Sequence, residues 1–233
     1  MIGVIVNTLS VLLGSAFGLL LKKGIPQKFS GAVMTAIGLC TVCIGIDGML
    51  QGENTLVLIF SVVFGVFIGT LLNIDGGISA LSDFCLKKAS TQQGNVTEGF
   101  ITATLLFCVG AMAIVGSLNS GLTGDHKLIF TKSFLDLISA TMLSATLGIG
   151  VLFSAVFVFL YQGALVLLAN SLQTVLTTAV INEITCVGSL IVFALGLNLI
   201  GLTKIKVANF LPAILLTPFA YYGLQWLMNL LNF

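Results

Sequence analysis

Long apolar runs separated by short polar segments dominate this chain. The runs cover residues 2–21, 31–50, 55–73, 99–117, 134–169, 183–202 and 207–231. An α-helix rises 1.5 Å per residue, so about 20 apolar residues cross the ~30 Å hydrocarbon core of a bilayer. The pattern therefore predicts an all-α, polytopic transmembrane helical bundle in which residues 1–233 form a single transmembrane domain.

The run 134–169 is too long for a single crossing. Gly148 and Gly150 lie near its middle and provide a natural break. We predict two spans that meet at these glycines, with one kinked or re-entrant element as the alternative. The bundle then contains seven or eight spans.

Lysines in the loops predict the orientation of the bundle. Those that follow the first, third and seventh spans of an eight-span arrangement are Lys22, Lys23, Lys28, Lys87, Lys88, Lys204 and Lys206. Because cytoplasmic loops are enriched in positive charge, we expect these loops inside the cell and both termini outside. Lys127 and Lys132 would then lie outside, and no lysine is expected within a span.

The composition excludes several classes of protein. Only 7% of the 233 residues are charged and 58% are hydrophobic, whereas soluble domains carry roughly 25% charged residues. The net charge of +1 and the absence of arginine give no basis for nucleic-acid binding. Neither a catalytic arrangement nor a metal-ligand motif is present, so we predict no enzyme activity, cofactor or metal. The lipid bilayer is the expected partner, and a homo-oligomer is compatible with the sequence.

Glycine and polar residues recur at similar places in several spans. Gly14 and Gly18, like Gly65 and Gly69, have the four-residue spacing that lets helix backbones approach closely. Three other spans each end with a glycine followed by a polar residue, and these polar residues are Asp47, Asn119 and Asn198. This recurring pattern suggests internal repeats, as in many transporters. The alternative is that the spans merely share a glycine-rich composition.

Ionisable residues near or within spans are the candidate functional groups, because a charge in the membrane is costly. Asp47, Asp136 and Glu183 fall at the outer ends of three spans in the eight-span arrangement, and we expect them to approach one another. Asp47 is predicted at the end of a helix, and Asp136 and Glu183 at helix starts. Further candidate ligands for an ion or a solute are Asn119, Ser139, Ser144 and Asn198. Ordinary interface charges and helix packing are the alternatives.

Three segments resemble a known family. They are LLFCVGAMAIVGSLNSGLTGD (105–125), LGIGVLFSAVFVFLYQG (147–163) and KIKVANFLPA (204–213). They are similar to the domain-of-unknown-function-554 family of bacterial membrane proteins, and the resemblance covers essentially the whole chain. It implies a multi-pass protein of the bacterial cytoplasmic membrane and carries a loose suggestion of a sodium channel or pump. It supplies no functional residues.

The sequence favours a small secondary transporter or ion-conducting protein, for a cation such as sodium or a proton. The alternative is a non-transporting membrane protein that scaffolds or regulates a partner complex. The two differ in what they require of the interior. A transporter needs polar residues from different spans to converge in one cavity, whereas a scaffold is compatible with a tightly packed apolar interior.

Overall fold

The computed structural model describes residues 1–22, 27–77 and 94–230, and its secondary structure there is helical, without strands. The principal helices are α1 (Ile2–Lys22), α2 (Gln27–Met49), α3 (Thr55–Leu71), α4 (Gly94–Cys108), α5 (Ala111–Leu122), α6 (Lys127–Leu147), α7 (Gly150–Leu167), α8 (Ala169–Leu172), α9 (Thr178–Leu199) and α10 (Leu211–Leu230). A 3-10 turn, Val207–Phe210, precedes α10. The predicted all-α bundle is confirmed.

The number of full-length spans is slightly lower than predicted. Within the described ranges, α1, α6, α7, α9 and α10 with its preceding turn are long and apolar enough to cross a membrane. The consecutive helices α4 and α5, bent by 56° relative to each other, add a sixth span if they count as one. The difference from seven or eight lies in α3 and in the part of α2 from Met34 to Met49, which are apolar but shorter.

Glycines lie where three pairs of helices make close contact. In the contact between α1 and α6, Gly14 faces the Leu137 carbonyl and Gly18 faces the Thr141 carbonyl, so these two helices run parallel. The second pair is α2 and α9, which are antiparallel, with Gly48 packed on Ser189. The third pair, also antiparallel, is α3 and α10 with the turn before it, where Gly65 faces Ala213 in α10 and Gly69 faces the Asn209 carbonyl in the turn. Any side chain at these glycines would collide with the facing helix.

The long apolar run 134–169 folds into two helices. Gly148 caps α6 with a φ of +83°, a conformation that suits glycine, and α7 begins at Gly150. Ile129, near the start of α6, packs with Val4 and with Val166 near the end of α7. The two helices therefore turn back on each other as a hairpin, and no straight helix runs through this stretch.

Labelling from outside the cell tests the orientation that the lysines predict. In a cysteine-free background, Glu53→Cys and Asp125→Cys should react with a membrane-impermeant thiol reagent on intact cells, because the lysine distribution predicts that their loops face outward. Lys204→Cys should react only after the cells are opened. Reaction of Lys204→Cys on intact cells would contradict the arrangement. Lys23, Lys87 and Lys88, on which the prediction also rests, lie outside the described residues.

Replacing Gly150 tests the close contact between α4 and α7. An added Cβ there would strike the Val96 carbonyl, which belongs to the backbone and cannot rotate away. Gly150→Ala should therefore lower the free energy of unfolding by about 1–3 kcal/mol, the usual cost of overpacking. Gly223→Ala is the matched control, because no atom lies within 4 Å of its added Cβ. Equal thermal midpoints of the two variants in detergent would show that the contact is loose.

Candidate functional site

A cavity of about 280 Å³ lies between α2, α6 and α9, beside the junction of α4 and α5. The side chains that give it polar character come from α6, from α9, and from the end of α2 and the turn after it. They are Asp47, Gln51, Lys132, Asp136, Ser139, Thr185 and Ser189. Polar groups from separate parts of the chain thus converge in one space within an otherwise apolar bundle.

The chain bends at the wall of this cavity. Gly110 adopts a φ of +129° between α4 and α5, which glycine tolerates because it has no Cβ. No side chain caps the first turn of α5, and Gly110, Met112 and Ala113 all line the cavity. A broken helix at membrane depth is tolerated where its free backbone groups face a cavity or other protein groups.

Lys132 and Asp136 form an ion pair in the cavity wall. The Lys132 Nζ donates to the Asp136 Oδ2, and the two side chains are only 7% and 8% exposed. Two expectations are therefore wrong: a lysine does lie within a helix, and Asp136 lies in the third turn of α6. The reason is that α6 begins at Lys127, seven residues before the apolar run. Its first turns carry charge, which lowers hydropathy without preventing helix formation.

Two buried amides extend this ion pair towards α1 and α7. The Asn7 Nδ2 donates to the Asp136 Oδ2 over 3.0 Å and to the Gln162 Oε1 over 3.1 Å. Both Asn7 and Gln162 are fully buried. The Lys132 Nζ also lies 5.9 Å from the centroid of the Phe107 ring, within the range of a cation–π contact. The hydrogen bonds join three helices around one carboxylate.

Sequence reasoning missed Lys132, Asn7 and Gln162. The four-residue spacing of Lys132 and Asp136, which brings side chains together on a helix, could have revealed the ion pair. Asn7 and Gln162 are strongly polar side chains inside apolar runs, and such side chains in membrane helices usually find a partner across a helix interface.

Asp47 is the other carboxylate of the cavity. It is exposed on the last turn of α2, as predicted, and the described part of the chain shows no ion pair to it. The negative end of the helix dipole lies near this position and disfavours a carboxylate. Asp47 therefore contributes a negative charge to the cavity that no described lysine balances.

The remaining predicted residues have different surroundings. Ser139 lines the cavity, whereas the Ser144 hydroxyl donates to the Ser15 carbonyl over 2.9 Å and joins α6 to α1. Asn119 is exposed and lies outside the cavity lining. The Asn198 Oδ1 accepts from the Ile205 N–H over 2.9 Å and orders the loop after α9. Of the candidates, the structure gathers Asp47, Asp136 and Ser139 around one cavity.

Glu183 binds backbone instead of lining the cavity. Its Oε1 accepts from the N–H groups of Glu53 and Asn54, both over 2.8 Å, and the residue is 2% exposed. One turn later, the Cys186 thiol donates to the Met49 carbonyl. Glu183 lies in the second turn of α9, after the Thr177 cap. It fixes the connection between α2 and α3 to α9.

Comparison with known proteins finds one family whose model matches this chain. The model of the family described as "Protein of unknown function (DUF554)" matches residues 2–222. An uncharacterized membrane protein of Bacillus subtilis (strain 168), YdfK, is 33% identical over 222 residues, which are 94% of this chain and 94% of that protein. The uncharacterized protein YqgA of Escherichia coli (strain K12) is 28% identical over 220 residues, 92% of this chain and 94% of that protein. No solved structure matches the chain.

Two substitutions of Glu183 separate an anchoring role from an ion-binding role. Glu183→Ala should lower the free energy of unfolding by about 1–2 kcal/mol, because it leaves two partly buried N–H groups without their acceptor. Glu183→Gln retains an oxygen at the acceptor position and should cost less than about 1 kcal/mol. Thermal unfolding in detergent and limited proteolysis at residues 50–54 measure both effects. A Glu183→Gln variant as unstable as Glu183→Ala would argue that the negative charge, and not the acceptor, is essential.

Proposed function

The chain belongs to the DUF554 family, and from that premise we propose that it is a small secondary transporter or ion-conducting protein of the bacterial cytoplasmic membrane. Its cargo is a small cation such as sodium or a proton. The observation that carries this proposal is the cavity in which Asp47, the Lys132–Asp136 ion pair and the junction of α4 and α5 meet.

The surface of the bundle supports placement in a membrane. Large apolar side chains are exposed along several helices, including Phe17, Phe64, Phe67 and Phe219. In water such a surface would drive aggregation, whereas in a bilayer it contacts acyl chains. The protein is therefore a membrane protein in contact with lipid.

The contents of the cavity favour transport over a purely structural role. Ionisable residues within membrane helices are rare and mark ion or substrate pathways. Transporters also place their binding sites at breaks in helices. The volume of about 280 Å³ is several times the ~30 Å³ that one water occupies in the liquid, so a cation could enter with part of its hydration shell.

The scaffold alternative has less support. A scaffold does not require a polar cavity between its helices, and a tightly packed apolar interior would be more stable than one with buried charges. Asp47 in particular has no structural partner among the described residues. A carboxylate that lines the cavity and supports no contact is better explained by binding than by packing.

Flux measurements in proteoliposomes test the proposal. The purified protein should carry at least one of sodium, potassium, lithium or protons across the bilayer. Asp47→Asn should reduce that flux by roughly tenfold or more, because it removes the one unbalanced charge of the cavity. The same cation should raise the thermal midpoint of the parent protein by mass action, and Asp47→Asn should lose this stabilisation.

Asp125→Asn is the matched control. Asp125 is an exposed acid in the loop before α6 and does not line the cavity. Its substitution should leave both flux and stabilisation unchanged. If no cation moves or stabilises the parent protein, or if Asp47→Asn behaves like Asp125→Asn, the transport proposal is wrong and the scaffold alternative gains support.

A further inference from the structure

We propose that Lys132 sets the charge selectivity of the cavity. Its ammonium group permanently neutralises Asp136, so that Asp47 is left as a single net negative charge and the cavity fits a monovalent cation better than a divalent one. This inference rests on the proposed function and adds the class of cation that is carried.

The charged groups of the cavity are few. Among the described residues that line it, Asp47, Lys132 and Asp136 are the only ones with ionisable side chains, so two carboxylates face one ammonium. The groups contributed by α9, Thr185 and Ser189, are neutral hydroxyls, and the α4–α5 junction contributes no charge. The net charge of the lining is therefore −1, and one monovalent cation neutralises it.

Lys132 acts as a fixed counter-ion because its surroundings hold it in place. It belongs to the same helix as Asp136, one turn away, and the two groups are hydrogen bonded. Asn7 donates to the same Asp136 oxygen, and the centroid of the Phe107 ring lies 5.9 Å from the ammonium nitrogen. An entering cation would have to displace a tethered donor from a buried site. Asp47, by contrast, lines the cavity, is exposed, and has no ion-pair partner among the described residues.

Removing the ammonium changes the selectivity in a defined way. The Coulomb energy of a bound ion in the field of Lys132 is proportional to the charge of that ion. If loss of the Lys132 charge improves the affinity for a monovalent cation by a factor f, it improves the affinity for a divalent cation by f squared. The ratio of divalent to monovalent affinity should therefore rise by f, which we expect to be roughly tenfold.

The experiment measures cation affinities of the full-length protein in detergent. Thermal unfolding is followed while sodium or calcium is titrated against choline chloride at constant ionic strength. The parent should be stabilised by sodium at lower concentration than by calcium. Lys132→Gln, with a net lining charge of −2, should shift the preference towards calcium by roughly tenfold. Lys132→Gln/Asp136→Asn restores the charge of −1 and should restore the preference for sodium.

A second variant keeps the test decisive if Lys132→Gln does not fold, since breaking a buried ion pair is costly. Gln51 lines the cavity and is exposed, so Gln51→Glu also gives −2 without touching the pair. It should produce the same shift towards calcium. The control is Lys127→Gln, which removes an exposed lysine of α6 from outside the lining and should leave the preference unchanged.

The outcomes separate this inference from the proposed function. A parent that no cation stabilises or that carries none overturns the proposed function, and this inference with it. If the parent prefers sodium, a folded Lys132→Gln protein that keeps this preference overturns only the role of Lys132. If Lys132→Gln does not fold, a Gln51→Glu protein that keeps the preference overturns it. A parent that prefers calcium overturns it as well.

Discussion

The buried ion pair between Lys132 and Asp136 constrains the rest of the bundle. Charges removed from water are stable only when each is closely paired and its other hydrogen bonds are met. Asp136 meets this requirement with Lys132 on its own helix and with Asn7 on α1, which in turn holds Gln162 on α7. Sliding any of these helices by one turn would leave a charge or an amide unpaired in an apolar interior.

Close packing of glycine backbones makes that arrangement possible. The Gly14 and Gly18 contacts bring α1 against the carbonyl groups of α6, close enough for Asn7 to reach Asp136. Without a strong hydrophobic effect between helices in lipid, such contacts and the hydrogen bonds they permit hold the helices together. The glycine contacts and the polar hydrogen bonds therefore act together to pack α1 on α6.

Local pattern was enough to predict the helices and not enough to predict the cavity. The class of fold and the break at Gly148 follow from apolar length and from glycine, which act within a few residues. Hydropathy does not place Lys132 inside a span, because each lysine lowers the local hydropathy. In the structure the charge of Lys132 is neutralised by Asp136, one turn later in the same helix. The sequence predicts an ion-binding role for Glu183 because the groups that donate to its carboxylate, the N–H groups of Glu53 and Asn54, lie about 130 positions away, and no local pattern reveals such partners.

The shortness of α3 has a consequence for the lipid around the protein. Its 17 residues span only about 26 Å at 1.5 Å per residue, a few Å less than the ~30 Å core of an average bilayer. Lipid next to α3 therefore has to compress, or residues beyond the helix have to reach towards the headgroups, at a cost of fractions of a kcal/mol per Å. A change in the acyl chain length of the lipids should therefore affect the side of the bundle that carries α3 more than the opposite side.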